Sequence, residues 1–428
     1  MPTWKRTYWA VWTANLITSI GMMSFLPFFP RLLTELGLTD RDEIATWAGI
    51  LYGAAPLSAA VMGPLWGALG DRYGRRLMVL RSLAAITVFV GAMAFARTTW
   101  QLLALRLMQG VFSGFLAPSL TLVSVAAPRS EEGRIAGSLQ TASVLGGIVG
   151  PLLGAGLAQL MPLRHVFLGV AVLSVVAALL VLAWAHEDPA HRLGEQHSAG
   201  SFQDALAGSW RDVTELWGNR TLRASLAIVF WIQFAVGTTN PILDLHVRDL
   251  FAAGEQALHV ATVALSPSVD EQALHIATAV LFSAVPAVSL LAMPAWGRFG
   301  DRHGHGASLV MVAIWSGLAL VAQGLAPTFA LLLVTRLLFG AVMAGSAPLS
   351  FGLAAREVGV ERRGGAFGVV FGARTFAVAV SAMLGGWASH FLTTRGLFVL
   401  GGITVLASAW WMRSANQRRP SLRSTSGG

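Results

Sequence analysis

The chain has 428 residues, 55% of them hydrophobic and 12% charged, with 30 Lys+Arg against 21 Asp+Glu for a formal net charge of +9. A soluble domain of average composition carries about a quarter charged residues, so a compact water-soluble enzyme is excluded, and there is no soluble basic face on which to hold nucleic acid. The lack of cysteine excludes disulfides, thiolate metal sites and a thiol nucleophile.

The first apolar run extends from about Tyr8 to Pro30 behind Trp4-Lys5-Arg6. It is too long for a signal-peptide core and has no convincing cleavage site, so it reads as an uncleaved span. Further runs begin near Thr46, Leu77, Trp100, Ile135 and Val166. After a polar stretch, others begin near Ala224, Gln272, Ala307, Phe329, Gly365 and Leu397. At about 20 residues per span, this predicts an all-α membrane protein of twelve transmembrane helices. Residues 1–185 form a six-helix bundle, 186–223 a cytoplasmic central loop, and 224–428 a second six-helix bundle. Within the loop, Phe202, Leu206, Trp210, Val213 and Trp217 recur at helical spacing behind Ser201 and Asp204. That pattern reads as a helix on the membrane surface, or alternatively as a linker without fixed structure. Of the basic residues only Arg31, Arg41, Arg97, Arg164, Arg248 and Arg395 fall on one side, and Arg106, Arg336 and Arg374 fall within spans. All the others share the opposite side, so the positive-inside rule predicts that both termini are cytoplasmic.

The two bundles are repeats. GALGDRYG at Gly67–Gly74 returns as GRFGDRHG at Gly297–Gly304, and Arg106, Gly110 and Pro118 return as Arg336, Gly340 and Pro348, all at a spacing of 230. Pro27 pairs instead with Pro241, a spacing of 214, so the second bundle has gained 16 residues. Their source is a tandem copy: EQALHVATVAL from Glu255 recurs as EQALHIATAVL from Glu271. The duplicated segment, 255–286, is expected as an enlarged outer loop of the second bundle, where an insertion is tolerated.

Only one carboxylate falls within a span. Asp244 follows an Asn240-Pro241 break, where unpaired carbonyls require protein or water, and His246 lies two residues on. Asp244 reads either as a proton carrier or as the partner of Arg248 one turn away. Arg106, Arg336 and Arg374 leave an excess of buried positive charge, which would favour anionic or zwitterionic cargo if they face a cavity. His303 and His305 beside Asp301 lack ligand spacing, so no metal is assigned. Without a Gly-rich Lys-Ser/Thr loop, no ATP or other cofactor is expected.

Three motifs give the chain a resemblance to the major facilitator superfamily from about Trp4 to Arg413. The first is the loop signature Gly67, Asp71, Arg72, Gly74, Arg75 and Arg76, with a reduced copy at Gly297, Asp301, Arg302 and Gly304. It implies a conformational latch, in which Asp71 sits against arginines and a helix N-terminus. The second is Arg106 with Gln109-Gly110 and Gly114, which resembles a motif whose buried arginine is linked to proton transfer. The third, Gly146, Gly147, Gly150, Pro151 and Gly154, resembles the signature of antiporters in this superfamily. Trp4-Lys5-Arg6, Pro27, Pro30, Pro241-Ile242-Leu243 and Val247-Arg248 are similar to the MdtG-like group of bacterial multidrug exporters. Many drug antiporters carry an acid in span one, where this chain offers Asn15.

The resemblance implies a facilitator fold of two pseudo-symmetric halves and a monomeric, proton-driven carrier in the bacterial inner membrane. It would export small molecules, drugs or amphiphilic metabolites, by antiport and alternating access. The proton and substrate pathway it suggests comprises Asn15, Arg106, Asn240, Asp244, His246, Arg336 and Arg374. An uptake symporter for a sugar, amino acid or organic acid is the alternative.

Overall fold

The computed structural model describes residues 3–114, 116–126, 132–187, 214, 218–261, 271–358 and 363–417. Among these, the helices group into twelve spans. Span one is Thr3–Phe25 with the 3-10 turn Leu26–Phe28 and the helix Phe29–Glu35; span two is Arg41–Tyr73. Span three is Arg75–Ala85 with Ile86–Val90 and Gly91–Met93; span four is Thr99–Phe112 and Leu116–Ala126. Glu132–Leu160 and Leu163–Trp184 are spans five and six. Span seven is Arg220–Thr239 and Leu243–Ala261, span eight Glu271–His303 and span nine His305–Leu325. Phe329–Met343 with Ser346–Glu357, then Arg363–Ala388 and Thr394–Gln417, are spans ten to twelve.

Each helix starts within about a turn and a half of its apolar run. Eleven of the twelve are long and apolar enough to cross a membrane; span four is broken at Ser113 and Gly114, where Gly114 takes φ 128°. The first and last described residues, Thr3 and Gln417, lie on one face of the bundle, here called the terminal face, and the opposite one is the distal face. The predicted surface helix at Phe202–Trp217 and most of the central loop fall outside the described residues.

The repeat is physical as well as textual. Thr98 and Thr328 cap spans four and ten by accepting from Gln101 N and Leu331 N. Gly74 and Gly304 turn the chain between spans two and three and between eight and nine at φ 106° and 89°, a region open to glycine. Trp66 Nε1 donates to the Val111 carbonyl (2.6 Å), and Trp296 Nε1 to the Ala341 carbonyl (2.7 Å). The duplicated segment is less loop than expected. Among the described residues, helix runs into its first copy as far as Ala261, and the second copy is helical from Glu271. The helix-compatible EQALH sequence extends an existing helix where turn residues would have ended it.

Within each half, lipid gives helices no hydrophobic reason to associate, so close packing through small residues takes that role. A Cβ on Gly146 would lie 2.3 Å from Ser19 Cβ, one on Gly150 2.6 Å from Met23 Cβ, and one on Gly154 1.8 Å from the Ser24 carbonyl. The span-five glycines therefore seat span five directly on span one. In the second half the small residue changes sides: Gly237 of span seven receives Ser381 of span eleven.

The halves meet along spans two and eleven and along spans five and eight. Toward the distal face this seam is tight: Gly49 and Gly53 abut the carbonyls of Ala382 and Ala379, and Gly386 abuts that of Ala45. Ala45, Ile242, Leu245 and Leu397 form a buried apolar cluster there across the two halves. Toward the terminal face the seam is looser: a Cβ on Gly63, Gly137, Gly297, Gly368 or Gly372 would meet nothing within 4 Å, and the closer contacts of Gly70 and Gly300 are with Met78 and Leu349 of their own halves. The described state is closed on the distal side and splayed on the terminal side.

Candidate functional site

At mid-bundle, the break in span seven brings the two halves into polar contact. Residues Asn240 to Ile242 interrupt the helix, as the Asn-Pro pair dictates by removing a backbone donor. Asn240 Oδ1 accepts from Arg336 Nη2 (3.2 Å), while Asn240 Nδ2 reaches the Tyr52 hydroxyl of span two (3.4 Å). Arg336 is completed by the Leu281 carbonyl (3.4 Å) and Gln323 Oε1 (3.3 Å).

Arg106 repeats the geometry on the other side. Its Nε donates to the Leu51 carbonyl (2.9 Å), Nη1 to Gln109 Oε1 (2.7 Å) and Nη2 to the Tyr52 carbonyl (3.5 Å). Its guanidinium also sits 5.5 Å from the centre of the Phe29 ring. Both arginines are 2% exposed, and the partners named for them are neutral. The result is two buried positive charges held by carbonyls and amides, linked across the halves by Tyr52 and Asn240.

The second helical residue beyond the break, Asp244, is 1% exposed and is the buried carboxylate among the described residues. Its Oδ2 accepts from Arg248 Nε (3.2 Å), and its Oδ1 accepts from Thr278 Oγ1 of span eight (3.0 Å). The i,i+4 pairing with Arg248 anticipated from sequence is present, and Thr278 adds a second donor on the other oxygen.

His246 belongs to a different cluster, nearer the distal face. Its Nδ1 is 3.0 Å from Thr394 Oγ1; Thr394 Oγ1 donates to Asp249 Oδ2 (3.0 Å), which also accepts from Arg41 Nη2 of the first half. Thr46 Oγ1 to His390 Nε2 (2.9 Å) and Arg31 Nη1 to His275 Nδ1 (2.7 Å) are further bonds between the halves at this level.

The other pathway candidates stand apart. Asn15 is buried and ties span one to span five, donating to the Leu139 carbonyl (2.8 Å) and accepting from Ser143 Oγ (3.3 Å). Arg374, in span eleven, is half-buried and keeps an enclosed Nη1 without a hydrogen-bond partner. Gln233 Oε1 of span seven is similarly enclosed without a partner. Because Gly237 packs on Val378 and Ser381, Gln233 and Arg374 lie at one level, a turn closer to the terminal face.

On the terminal face, the surroundings of Gly67 and the side chains of Asp71 and Arg72 lie outside the described set. The N-terminus of span three is capped by Glu187, whose Oε1 and Oε2 accept from Arg75 N (2.7 Å) and Arg76 N (3.0 Å). In the copy, Asp301 Oδ1 accepts from Arg356 Nη2 (3.1 Å) and lies 3.7 Å from His305 Nε2, while Arg302 is exposed.

A family model described as Major Facilitator Superfamily matches residues 11–266 and 256–427. The chain belongs to the Major Facilitator Superfamily. Its members are membrane transporters, not enzymes, and this chain is accordingly a multi-pass membrane protein. The two matched segments overlap within the first copy of the duplication, where a sixteen-residue gain would break a continuous match. The multidrug resistance protein MdtG of Proteus mirabilis (strain HI4320) is 30% identical over 347 residues, 81% of this chain and 80% of that one. The MdtG of Yersinia enterocolitica is 29% identical over 419 residues, 97% of this chain and 94% of that one. A bacterial homologue of the human lysosomal transporter Spinster shares the fold with a TM-score of 0.74 at 13% identity, covering 97% of each chain.

Set on this facilitator fold, the structure unites Arg106, Asn240 and Arg336, and it separates them from Asp244, His246, Asn15 and Arg374. Sequence reasoning missed Tyr52, Thr278, Thr394, Asp249 and Glu187 as partners. Tyr52 carried a usable signal, being one of 3 tyrosines and next to the carbonyl that Arg106 claims. Thr278 and Thr394 carried none, because threonines are ordinary on membrane helices.

Proposed function

We propose that this facilitator exports small molecules, drugs or amphiphilic metabolites, from a bacterial cytoplasm by proton antiport with alternating access. The observation that carries the reading is the one-sided seam. Glycines of spans two and eleven are crowded against the other half at the distal end, whereas Gly63, Gly137, Gly297, Gly368 and Gly372 toward the terminal end are free, the geometry of a carrier resting open to one side. The arginine distribution supports a cytoplasmic terminal face, on which reading the described state is the cytoplasm-open one and the distal face is external. Resemblance to multidrug resistance proteins along nearly the whole chain supports export as the direction.

Asp244 is the proposed proton site. It is buried beside the span-seven break, its oxygens are held by Arg248 and Thr278 from two helices, and protonation would release both. Arg374 and Gln233, with enclosed unpartnered polar atoms, are the proposed cargo contacts. The latch is proposed to form in the opposite state, when Gly297 and its counterpart Gly67 would accept a neighbouring helix. The carrier is proposed to act as a monomer.

The test is reconstitution in liposomes with an imposed pH gradient, following lumenal pH while anionic, zwitterionic and cationic compounds are added. Cargo-dependent proton movement that disappears in Asp244→Asn is the expected result. Movement unchanged by that substitution would return Asp244 to a purely structural role, and movement with no compound would remove antiport.

A further inference from the structure

We propose that His246 is a second proton site, connected through Thr394 to the ion pair that closes the outer gate, so that proton uptake opens the gate. This deepens the alternating-access reading above and rests on it.

The hydrogen bonds fix the histidine tautomer. A threonine hydroxyl has one proton, and that of Thr394 is donated to Asp249 Oδ2 (3.0 Å). The 3.0 Å contact between His246 Nδ1 and Thr394 Oγ1 must therefore be donated by the ring, which makes His246 the Nδ1–H form. Its Nε2 is a bare acceptor. That atom is enclosed and has no partner, the residue is 0% exposed, and the ring lies 5.0 Å from that of Phe398.

An added proton can only go to Nε2. With the gate closed it would find no acceptor there, and it would place a cation among others. Arg41 approaches from span two, Arg336 from span ten and Arg395 from span twelve, with Asp249 as the opposing charge beyond Thr394. On its own helix, Arg248 and Asp244 already neutralise each other. Of these cations only Arg41 belongs to the first half, and its contact with Asp249 is one of the bonds holding the halves together. Separating the halves removes Arg41 from the field and lets water reach Nε2, so protonated His246 belongs to the outer-open form and neutral His246 to the closed one. The open state is then favoured as pH falls below the ordinary histidine range of about 6.5. Because the proton enters and leaves on the outer side, this site biases the gate and does not itself carry protons to the cytoplasm; that transfer stays with Asp244.

The chain has no cysteine, so a Thr39→Cys, Thr393→Cys pair places spin labels at two positions alone, on exposed distal sites of opposite halves. Distances are read by pulsed electron resonance between about pH 5 and 8, without cargo or gradient. A long-distance population should grow with acid, by at most about tenfold in the open-to-closed ratio per pH unit, the limit for one proton. His246→Asn, whose amide can still donate to Thr394, should remain closed throughout. Thr394→Val, which keeps the ring but cuts the connection, should blunt the response. A flat profile in the labelled parent overturns the proposal, as does an unchanged response in either variant, and Thr394→Val decides if His246→Asn fails to fold. Loss of proton antiport in liposomes with this distance response intact would overturn the transport reading alone.

Discussion

Replacing Gly154 by alanine isolates the cost of parting spans one and five. The new Cβ would lie 1.8 Å from the Ser24 carbonyl oxygen and 2.7 Å from its carbon. Both are backbone atoms, so no rotamer change relieves the clash. Restoring ordinary contact requires the helices to part by about 1.5 Å, and a gap well under that size already forfeits a quarter to a half of a dispersion contact. The loss is shared along the seam, because Gly146 and Gly150 meet Ser19 and Met23 on the same face. Overpacking of this kind costs about 1–3 kcal/mol, and the upper end applies where backbone meets backbone. Alanine recovers up to about 1 kcal/mol of helix propensity, leaving a net loss of about 2 kcal/mol, or roughly thirtyfold in the folded-to-unfolded ratio. Gly137→Ala on the same helix is the control. Its Cβ would meet nothing within 4 Å, so it should be neutral or slightly stabilising. Unfolding in mixed micelles of rising dodecyl sulfate content measures both. Equal midpoints for Gly154→Ala and Gly137→Ala would refute the packing argument. Ser19→Gly should rescue part of Gly146→Ala, whereas no side-chain truncation at Ser24 should rescue Gly154→Ala.

Arg106→Met and Arg336→Met should each lower stability by about 2–4 kcal/mol, since each strands a backbone carbonyl and two other polar partners in the core. A variant that keeps its thermal midpoint but loses transport would refute a structural role for that arginine. Glu187→Gln should cost about 0.5–1 kcal/mol through weaker interaction with the N-terminus of span three, visible as a small fall in midpoint that shrinks with added salt. Gly297→Leu should leave the stability of the described state unchanged, because the site is empty there, yet abolish transport by blocking closure. Full transport activity in Gly297→Leu would refute the proposal that a helix packs there in the other state.

The number of spans, their order and the repeat were legible because lipid demands about 20 apolar residues per crossing, a signal that survives the breaks in spans four and ten. Burial of Arg106 and Arg336 was legible from their mid-span positions, and the pairing of Asp244 with Arg248 from their one-turn spacing. Tyr52 meeting Asn240, Thr278 meeting Asp244, and Thr394 joining His246 to Asp249 were not legible. Each contact joins different spans, consecutive ones for Thr278 and Asp244 and distant ones for the other two, and which faces of those spans meet is set by packing that no local pattern records. The first copy of the duplicated segment was expected as outer loop, because its outer position weighed more than its own helix-compatible composition. That copy continues the span-seven helix to Ala261.

The repeat itself separates scaffold from candidate mechanism. Where residues 230 apart make the same bond, as with Arg106 and Arg336 to the carbonyls of Leu51 and Leu281, or Trp66 and Trp296 to those of Val111 and Ala341, the bond serves both halves alike. A bond of that kind holds helices in a half and cannot by itself distinguish inside from outside. Vectorial coupling needs groups that one half has and the other lacks. At the spacing of 214 that relates spans one and seven, Asp244 stands against Pro30 and His246 against Leu32. Both titratable groups therefore sit in the second half alone, beyond the only Asn-Pro break in the described spans, and each reaches a neighbouring helix through a threonine. An arrangement that concentrates protonatable groups at one end of one half can let the state of a proton bias one gate without acting equally on the other.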